Sequence, residues 1–378
     1  MSESELPPFE EPIWVTRPRL PDLAAFAEAL RPAWESGQVT NGGRLKRELE
    51  GKVAGYLDVA HCELVANGTL ALMLMLEAFG LRGRKVAVPA FTFIGVIHAL
   101  RWAGCEPVFC DLEPGTWQVD PERVEAALEG GAEAILGVHL FGMSCRVAEL
   151  EGLARRYGVP LLFDAAHGMG CRLGGVPLAA FGDASILSFH ATKPFTTLEG
   201  GAVVTGRREI AERVRLLSDF GFDEADRVLF PGINAKMNEA EAAMGLVTLP
   251  RLAEEIADRG RVAAVYRQEL AGREGLTMGC LPEGLESNHA YFPIRIEAGA
   301  FGMDRGQVMA VLRGHNVFSR AYFETLGSGL PWYRDLASAQ AECLPESIRA
   351  ARETLCLPMY ADLPMEAAAR IAAIIRGA

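Results

Sequence analysis

Between residues 84 and 206 short apolar runs alternate with stretches whose apolar positions recur at helical spacing. Lys85-Val86-Ala87-Val88 precedes a helical pattern over 93–103, and Pro107-Val108-Phe109 precedes one over 120–128. The run over 134–140 (AILGVHL) precedes a third over 147–157. Leu161-Leu162-Phe163 then ends at Asp164, and two further strand-like runs follow, 184–189 and Ala202-Val203-Val204. Runs this short, apolar throughout and bounded by glycine or proline, predict strands covered on both faces. Such strands build a mostly parallel sheet between helical layers, so the predicted class is α/β. Downstream of residue 250 the texture changes to a long charged helical pattern over 251–270, a strand-like run over 290–296, and helical patterns over 306–313 and 365–375. This predicts a smaller C-terminal α+β domain, with a linking helix around 238–270 carrying the boundary. The chain then divides into an N-terminal segment (1–17), a large domain (18–250) and a small C-terminal domain (251–378).

Composition narrows the function classes. With 378 residues, 50% hydrophobic and 23% charged, the chain has enough apolar material for a sizeable core and lacks a disordered or fibrous bias. Lys and Arg number 37 against 49 acidic residues, a net charge of -12, which disfavours a bulk-charge grip on nucleic acid or an anionic membrane. The start, MSESELPPFEEP, has no basic region followed by an apolar one, so no secretory signal is expected. No run reaches the roughly 18 apolar residues of a membrane span. A soluble, cytoplasmic protein is the expectation. The eight cysteines form no C-x-x-C pair and are read as reduced, mostly buried small side chains. Histidines 139, 167 and 190 lie near strand ends, but no carboxylate spacing assembles them into a metal set, and none is predicted.

In open α/β sheets ligands sit outside the carboxyl ends of the strands, so polar residues ending apolar runs are the first candidates. Asp164 ends one run and leads into Ala165-Ala166-His167. Ser188-Phe189-His190-Ala191-Thr192-Lys193 ends another and leads into Thr196-Thr197-Leu198-Glu199-Gly200-Gly201. Asn67-Gly68-Thr69 lies between a strand-like run and an apolar helical pattern over 70–79, a loop-to-helix start whose free N–H groups suit an anion such as a phosphate. Each has a plainer alternative: a helix cap for Asp164 or Thr69, a solvated surface amine for Lys193. P-loop, nucleophile-elbow and zincin motifs are missing. The nearest dinucleotide fingerprint, Gly168-Met169-Gly170-Cys171-Arg172-Leu173, has leucine at the third glycine position and runs into Gly174-Gly175-Val176-Pro177 rather than a helix.

Taken together, Gly68-Thr69, Asp164-Ala165-Ala166-His167 and Ser188-Phe189-His190-Ala191-Thr192-Lys193 with Glu199-Gly200-Gly201-Ala202 resemble the DegT/DnrJ/EryC1/StrS aminotransferase family. The likeness covers nearly the whole chain. It takes in Arg17-Pro18, Thr40-Asn41-Gly42-Gly43, Val88-Pro89-Ala90-Phe91-Thr92-Phe93, Gly232-Ile233-Asn234-Ala235-Lys236-Met237 and Leu355-Cys356-Leu357-Pro358-Met359. The resemblance implies a fold type I pyridoxal 5'-phosphate enzyme that moves an amine from an amino acid, most often L-glutamate, to a keto sugar on a nucleoside diphosphate. By resemblance Lys193 forms the Schiff base and shuttles the proton, while Asp164 keeps the pyridine nitrogen protonated. His167 and Phe93 are implied on the two ring faces. Thr69, the backbone of Gly68 and Leu70, and Ser188 are implied at the phosphate. Asn234 is implied to reach the phosphate from a partner subunit, making a homodimer with a shared site.

The departures from the family pattern also carry information. Members that eliminate a hydroxyl replace the lysine with histidine; Lys193 disfavours that branch. His167 stands where many members have glutamine, and Lys236 where many have arginine. Tyr322-Phe323-Glu324-Thr325-Leu326, in a region that helps line the acceptor pocket, lacks the usual histidine-bearing stretch. The His190-Ala191-Thr192-Lys193 form leans towards a 4-keto, 6-deoxy acceptor. A keto-cyclitol or other secondary-metabolite ketone is the neighbouring alternative, and a non-catalytic, cofactor-binding regulatory protein the alternative from another class.

Overall fold

The structure, a computed structural model, describes residues 6–378; the first five residues of the acidic start lie outside the described residues. Seven strands form the central sheet: β1 (His61–Val65), β2 (Lys85–Pro89), β3 (Glu106–Cys110), β4 (Ala134–Val138), β5 (Leu161–Asp164), β6 (Ala184–Ser188) and β7 (Gly201–Thr205). Their order is β1-β7-β6-β5-β4-β2-β3, and only β7 runs antiparallel to its neighbours. Every residue of β4, β5 and β7 is buried, which explains why these runs show no polar alternation.

Helices cover both faces. One face carries α3 (Gly68–Ala78), α4 (Ile94–Trp102) and α7 (Arg208–Ser218), whose apolar residues join one core. On the other face α5 (Pro121–Glu129) and α6 (Val147–Tyr157) share a core with Ile135, Leu161 and Phe163. Helices α1 (Leu23–Ser36), α2 (Arg44–Leu57) and α8 (Glu239–Thr248) supply a third. Helix α3 is apolar on nearly all sides and buries Ala71, Leu72, Leu74, Met75, Leu76 and Ala78. Burial of its body fixes the helix in place, while Thr69 in its first turn stays exposed.

A separate core joins α9 (Leu252–Glu269), α10 (Arg305–Gly314) and α12 (Met365–Arg376) to an antiparallel sheet of β8 (Leu276–Met278), β9 (Phe292–Ile296) and β10 (Thr354–Leu357). Helix α11 (Pro345–Glu353) precedes β10. The sequence pattern over 238–270 resolves into two helices, α8 and α9, separated by a 3-10 turn at Leu249–Arg251. Pro250 causes the break: it lacks an N–H for the helical ladder. The N-terminal segment is not a free-standing unit. Ile13–Trp14 pairs in parallel with Val317–Phe318, and Leu6, Phe9 and Ile13 pack on the C-terminal core. Six of the eight cysteines are buried, whereas Cys280 and Cys343 are exposed. Among the described residues no helix is long and apolar enough to cross a membrane.

Candidate active site

Strands β4, β5 and β6 end side by side at Val138, Asp164 and Ser188, next to the loop that links β1 to α3. Strand β7, running the other way, begins at this same end with Gly201, opposite both Ser188 and Val65. Here lies a cavity of about 340 Å³, within the ~300–1,000 Å³ typical of small-molecule sites. Gly68, Thr69, Phe93, Asp164, His167, Ser188 and Lys193, all singled out from the sequence, line it.

Asp164 and Lys193 lie in each other's field without forming an ion pair. The Lys193 amine donates to the Tyr291 hydroxyl at 3.1 Å. Burial depresses its pKa to about 8, partly offset by the nearby Asp164 carboxylate. About a tenth of the amine is therefore neutral and nucleophilic at pH 7, against well under a thousandth for an ordinary lysine. Burial raises the Asp164 pKa, opposed by the Ala166 N–H that donates to its Oδ1 at 2.8 Å and by Lys193. A more basic carboxylate holds a proton on a neighbouring ring nitrogen more firmly.

His167 is a neutral ring in this setting. Its Nδ1 accepts the Phe141 N–H at 3.0 Å, so its proton sits on Nε2, and burial with Lys193 nearby depresses its pKa well below the usual value. The ring lies 4.6 Å from that of Tyr291 and parallel to Phe141. Phe93, 52% exposed, precedes α4 and leans over Gly95, where a Cβ would stand 2.7 Å from its ring. Of the other histidines, His139 is fully buried and stacks on Phe163 at 4.4 Å, its pKa pushed down to about 3 by burial. His190 is exposed, with Nδ1 2.9 Å from the Thr192 hydroxyl. Among the described residues no cluster of metal-ligating side chains occurs.

The loop-to-helix start departs from what the resemblance implies at Leu70, and the helix cap is not the plainer alternative, Thr69, either. Asn67, not Thr69, caps α3, and its Oδ1 accepts the Leu70 N–H at 2.9 Å. Leu70 is thus already engaged and packs on the core; it does not line the cavity. Gly68 and Thr69 do line it, and as first-turn residues their N–H groups have no intrahelical acceptor. Ser188 accepts the His190 N–H at 3.5 Å, leaving its own O–H to donate. Gly201 passes so close that a Cβ would lie 2.6 Å from Asn67 C and Gly68 N. Asn234 is exposed, pairs with Asp219, and lies outside this cavity, so a role here requires a second copy of the chain. Lys236, whose contact the sequence left open, pairs with Asp219 and lies over the Phe220 ring.

These residues suit a phosphorylated pyridine aldehyde. They combine a depressed-pKa lysine, a buried carboxylate across the cavity, flat side chains on the walls, and a helix start pressed against Ser188. The Thr92 hydroxyl, 1% exposed and without a partner, also faces the cavity. The family model described as DegT/DnrJ/EryC1/StrS aminotransferase matches residues 22–376. The chain belongs to this family. It is an aminotransferase, and members of the family depend on pyridoxal phosphate. It is 36% identical to the dTDP-4-amino-4,6-dideoxy-D-glucose transaminase of Escherichia coli, over 97% of this chain and 99% of that one. It is 33% identical to the GDP-perosamine synthase of Caulobacter vibrioides, over 79% and 81%. The structure of DesI in the presence of its TDP-sugar product superposes with a TM-score of 0.92 at 39% identity, covering 99% of this chain and 94% of that chain.

Several lining residues escaped the sequence reading. Tyr291 sits in an apolar run, Ala290-Tyr291-Phe292-Pro293-Ile294, and reads there as core. Thr92 and Glu199 lie within motifs of the resemblance that imply no role for them, and Arg320 carries no local signal; the fold gathers all three at the cavity.

Proposed function

We propose that this aminotransferase delivers an amine from L-glutamate to a 4-keto-6-deoxy sugar on a nucleoside diphosphate, with pyridoxal phosphate in the cavity described above. The observation that carries the reading is the pairing of an uncharged-prone Lys193 with a buried Asp164 across one cavity. Pyridoxal phosphate, when bound, supplies an aldehyde that captures amines and a ring that stores the electron pair freed when the donor's C–H bond breaks. Asp164 holds a proton on the ring nitrogen. Lys193 takes the proton from the donor's α-carbon and returns one on the far side of the transfer, then repeats the steps in reverse for the sugar. His167 and Phe93 hold the ring between them, and Gly68, Thr69 and Ser188 bind the phosphate. The predicted kinetics are ping-pong.

Acceptor choice has physical support in the cavity wall. Phe93, Val96, Tyr322 and Phe323 present an apolar surface suited to a 6-deoxy carbon rather than a hydroxymethyl group. Arg320 is the only guanidinium among the lining residues, and its charge suits a diphosphate or the donor's carboxylate. Local cations of this kind offset a chain charge of -12. The names of the relatives, a dTDP-4-amino-4,6-dideoxy-D-glucose transaminase and a GDP-perosamine synthase, favour the same class. We also propose that Asn234 completes the phosphate site of a partner copy in a homodimer, that the enzyme works in the cytoplasm, and that the two domains meet near the break at residue 250. The test offers the amine-loaded enzyme a panel of 4-keto and 3-keto nucleotide sugars and follows the return of the aldehyde form by absorbance. Discharge by 4-keto, 6-deoxy members is expected, and discharge by 3-keto sugars alone would overturn the assignment.

A further inference from the structure

We propose that Tyr291 is a positioning residue for Lys193, its hydroxyl holding the lysine amine in place whenever that amine is not bonded to cofactor. The proposal rests on the aminotransferase reading above, in which Lys193 must carry a proton between carbon centres after it has been released.

The geometry is specific. Lys193 carries a flexible four-carbon stem, and the Tyr291 hydroxyl, 3.1 Å away, is the hydrogen-bond partner of its amine. The amine lies 5.4 Å from the ring centroid, towards the hydroxyl end. Tyr291 itself is held on several sides. Its ring stands perpendicular to Tyr322 at 5.6 Å, is tilted against His167 at 4.6 Å, and meets Phe141 at 5.6 Å. The Thr192 side chain hydrogen-bonds the hydroxyl, and Thr192 in turn lies 2.9 Å from His190 Nδ1. Tyr291 immediately precedes β9, a fully buried strand of the C-terminal core. The C-terminal half of the chain therefore reaches across to hold the lysine supplied by the sheet domain.

The groups facing the amine are the Asp164 carboxylate, the neutral His167 ring and Tyr291. Around Tyr291 stand Cys356, Arg259, Arg320 and Tyr322. None of these other neighbours hydrogen-bonds the amine. Removing the hydroxyl deletes an acceptor that favours the ammonium form, so the amine's protonation midpoint should fall below about 8 even as the amine loses its orientation. A purely structural role for the ring would move neither, because Tyr291→Phe keeps the ring and its contacts.

The experiment uses full-length Tyr291→Phe, with Tyr291→Met as a second variant lacking the hydroxyl. In protein freed of cofactor, trace acetic anhydride labels Lys193 at a series of pH values, and mass spectrometry of its peptide gives the amine's midpoint. In the loaded enzyme, kcat and KM are measured for the amino donor. The expected result is a midpoint lower by about one unit, with kcat reduced about 10- to 100-fold and KM little changed. A midpoint equal to that of the wild type in a folded variant overturns the proposal, and so does kcat within about twofold of wild type. Labelling needs neither cofactor nor acceptor, so its outcome stands apart from that of the substrate assignment. A wild-type protein unable to transfer amine would sink that assignment alone.

Discussion

Asp164 and Lys193 shape each other's protonation across the cavity without touching. The carboxylate draws the amine's pKa up and the amine draws the carboxyl's down, while burial pushes each the other way. The lysine turns instead to Tyr291, leaving the space between carboxylate and amine open for a planar cofactor. In the proposed mechanism a closed ion pair would quench the nucleophile and block the ring nitrogen's partner, and separation preserves both roles.

The depressed amine sets a pH limb. In the proposed mechanism Lys193 must be neutral to accept a proton, and its midpoint is about 8. Amine transfer from the donor in a single turnover should therefore fall about tenfold per pH unit below that value and level off above it. Stopped-flow absorbance across pH 6 to 10 reads this directly, and a flat profile through 8 would contradict the account.

The same shift has a consequence for stability. The folded-state pKa of Lys193, about 8, lies below the ordinary 10.5, so the unfolded chain binds the proton more tightly. The resulting destabilisation is fully present below pH 8 and disappears as pH rises past 10.5. Cofactor-free Lys193→Met should accordingly melt at a higher temperature than wild type at pH 7, with the gap closing towards pH 10.5. Equal melting temperatures at pH 7 would show that the buried amine carries no such strain.

Gly201 tests the cradle. A methyl group there would stand 2.6 Å from the backbone of Asn67 and Gly68. Gly201→Ala must push the α3 start away from Ser188, at a cost of about 1–3 kcal/mol of overpacking. Pyridoxal phosphate affinity should drop at least about tenfold in an equilibrium titration, with a smaller effect on binding of the dephosphorylated aldehyde. Equal losses for both ligands would place the cradle elsewhere.

Much of this was legible in the sequence because the sheet is buried on both faces. Runs ending at Asp164 and Ser188 announce their strands, and the residue after each run is where an α/β site must form. Lys193, Gly68 and Thr69 follow from short local motifs. What could not be read there depends on distant chain segments. Tyr291 comes from the C-terminal core and meets Lys193 only through the domain packing. The resemblance implies a phosphate contact for the Leu70 N–H, whereas the Asn67 side chain already accepts it, a contact that only the loop geometry reveals. Pro250 turned one predicted linking helix into two. Pairing of Ile13–Trp14 with Val317–Phe318, some 300 residues apart, has no local signature in a two-residue strand.

The central claim is tested most directly by following nitrogen. The enzyme, loaded with pyridoxal phosphate, is given L-[15N]glutamate and a dTDP-linked 4-keto-6-deoxyglucose, and products are resolved by mass spectrometry. The account predicts 15N in the amino sugar, one 2-oxoglutarate formed per sugar aminated, and loss of at least about a thousandfold in rate for Lys193→Ala. Transfer by Lys193→Ala at a rate near that of wild type, or no 15N transfer to any nucleotide keto sugar by the wild-type enzyme, would contradict it.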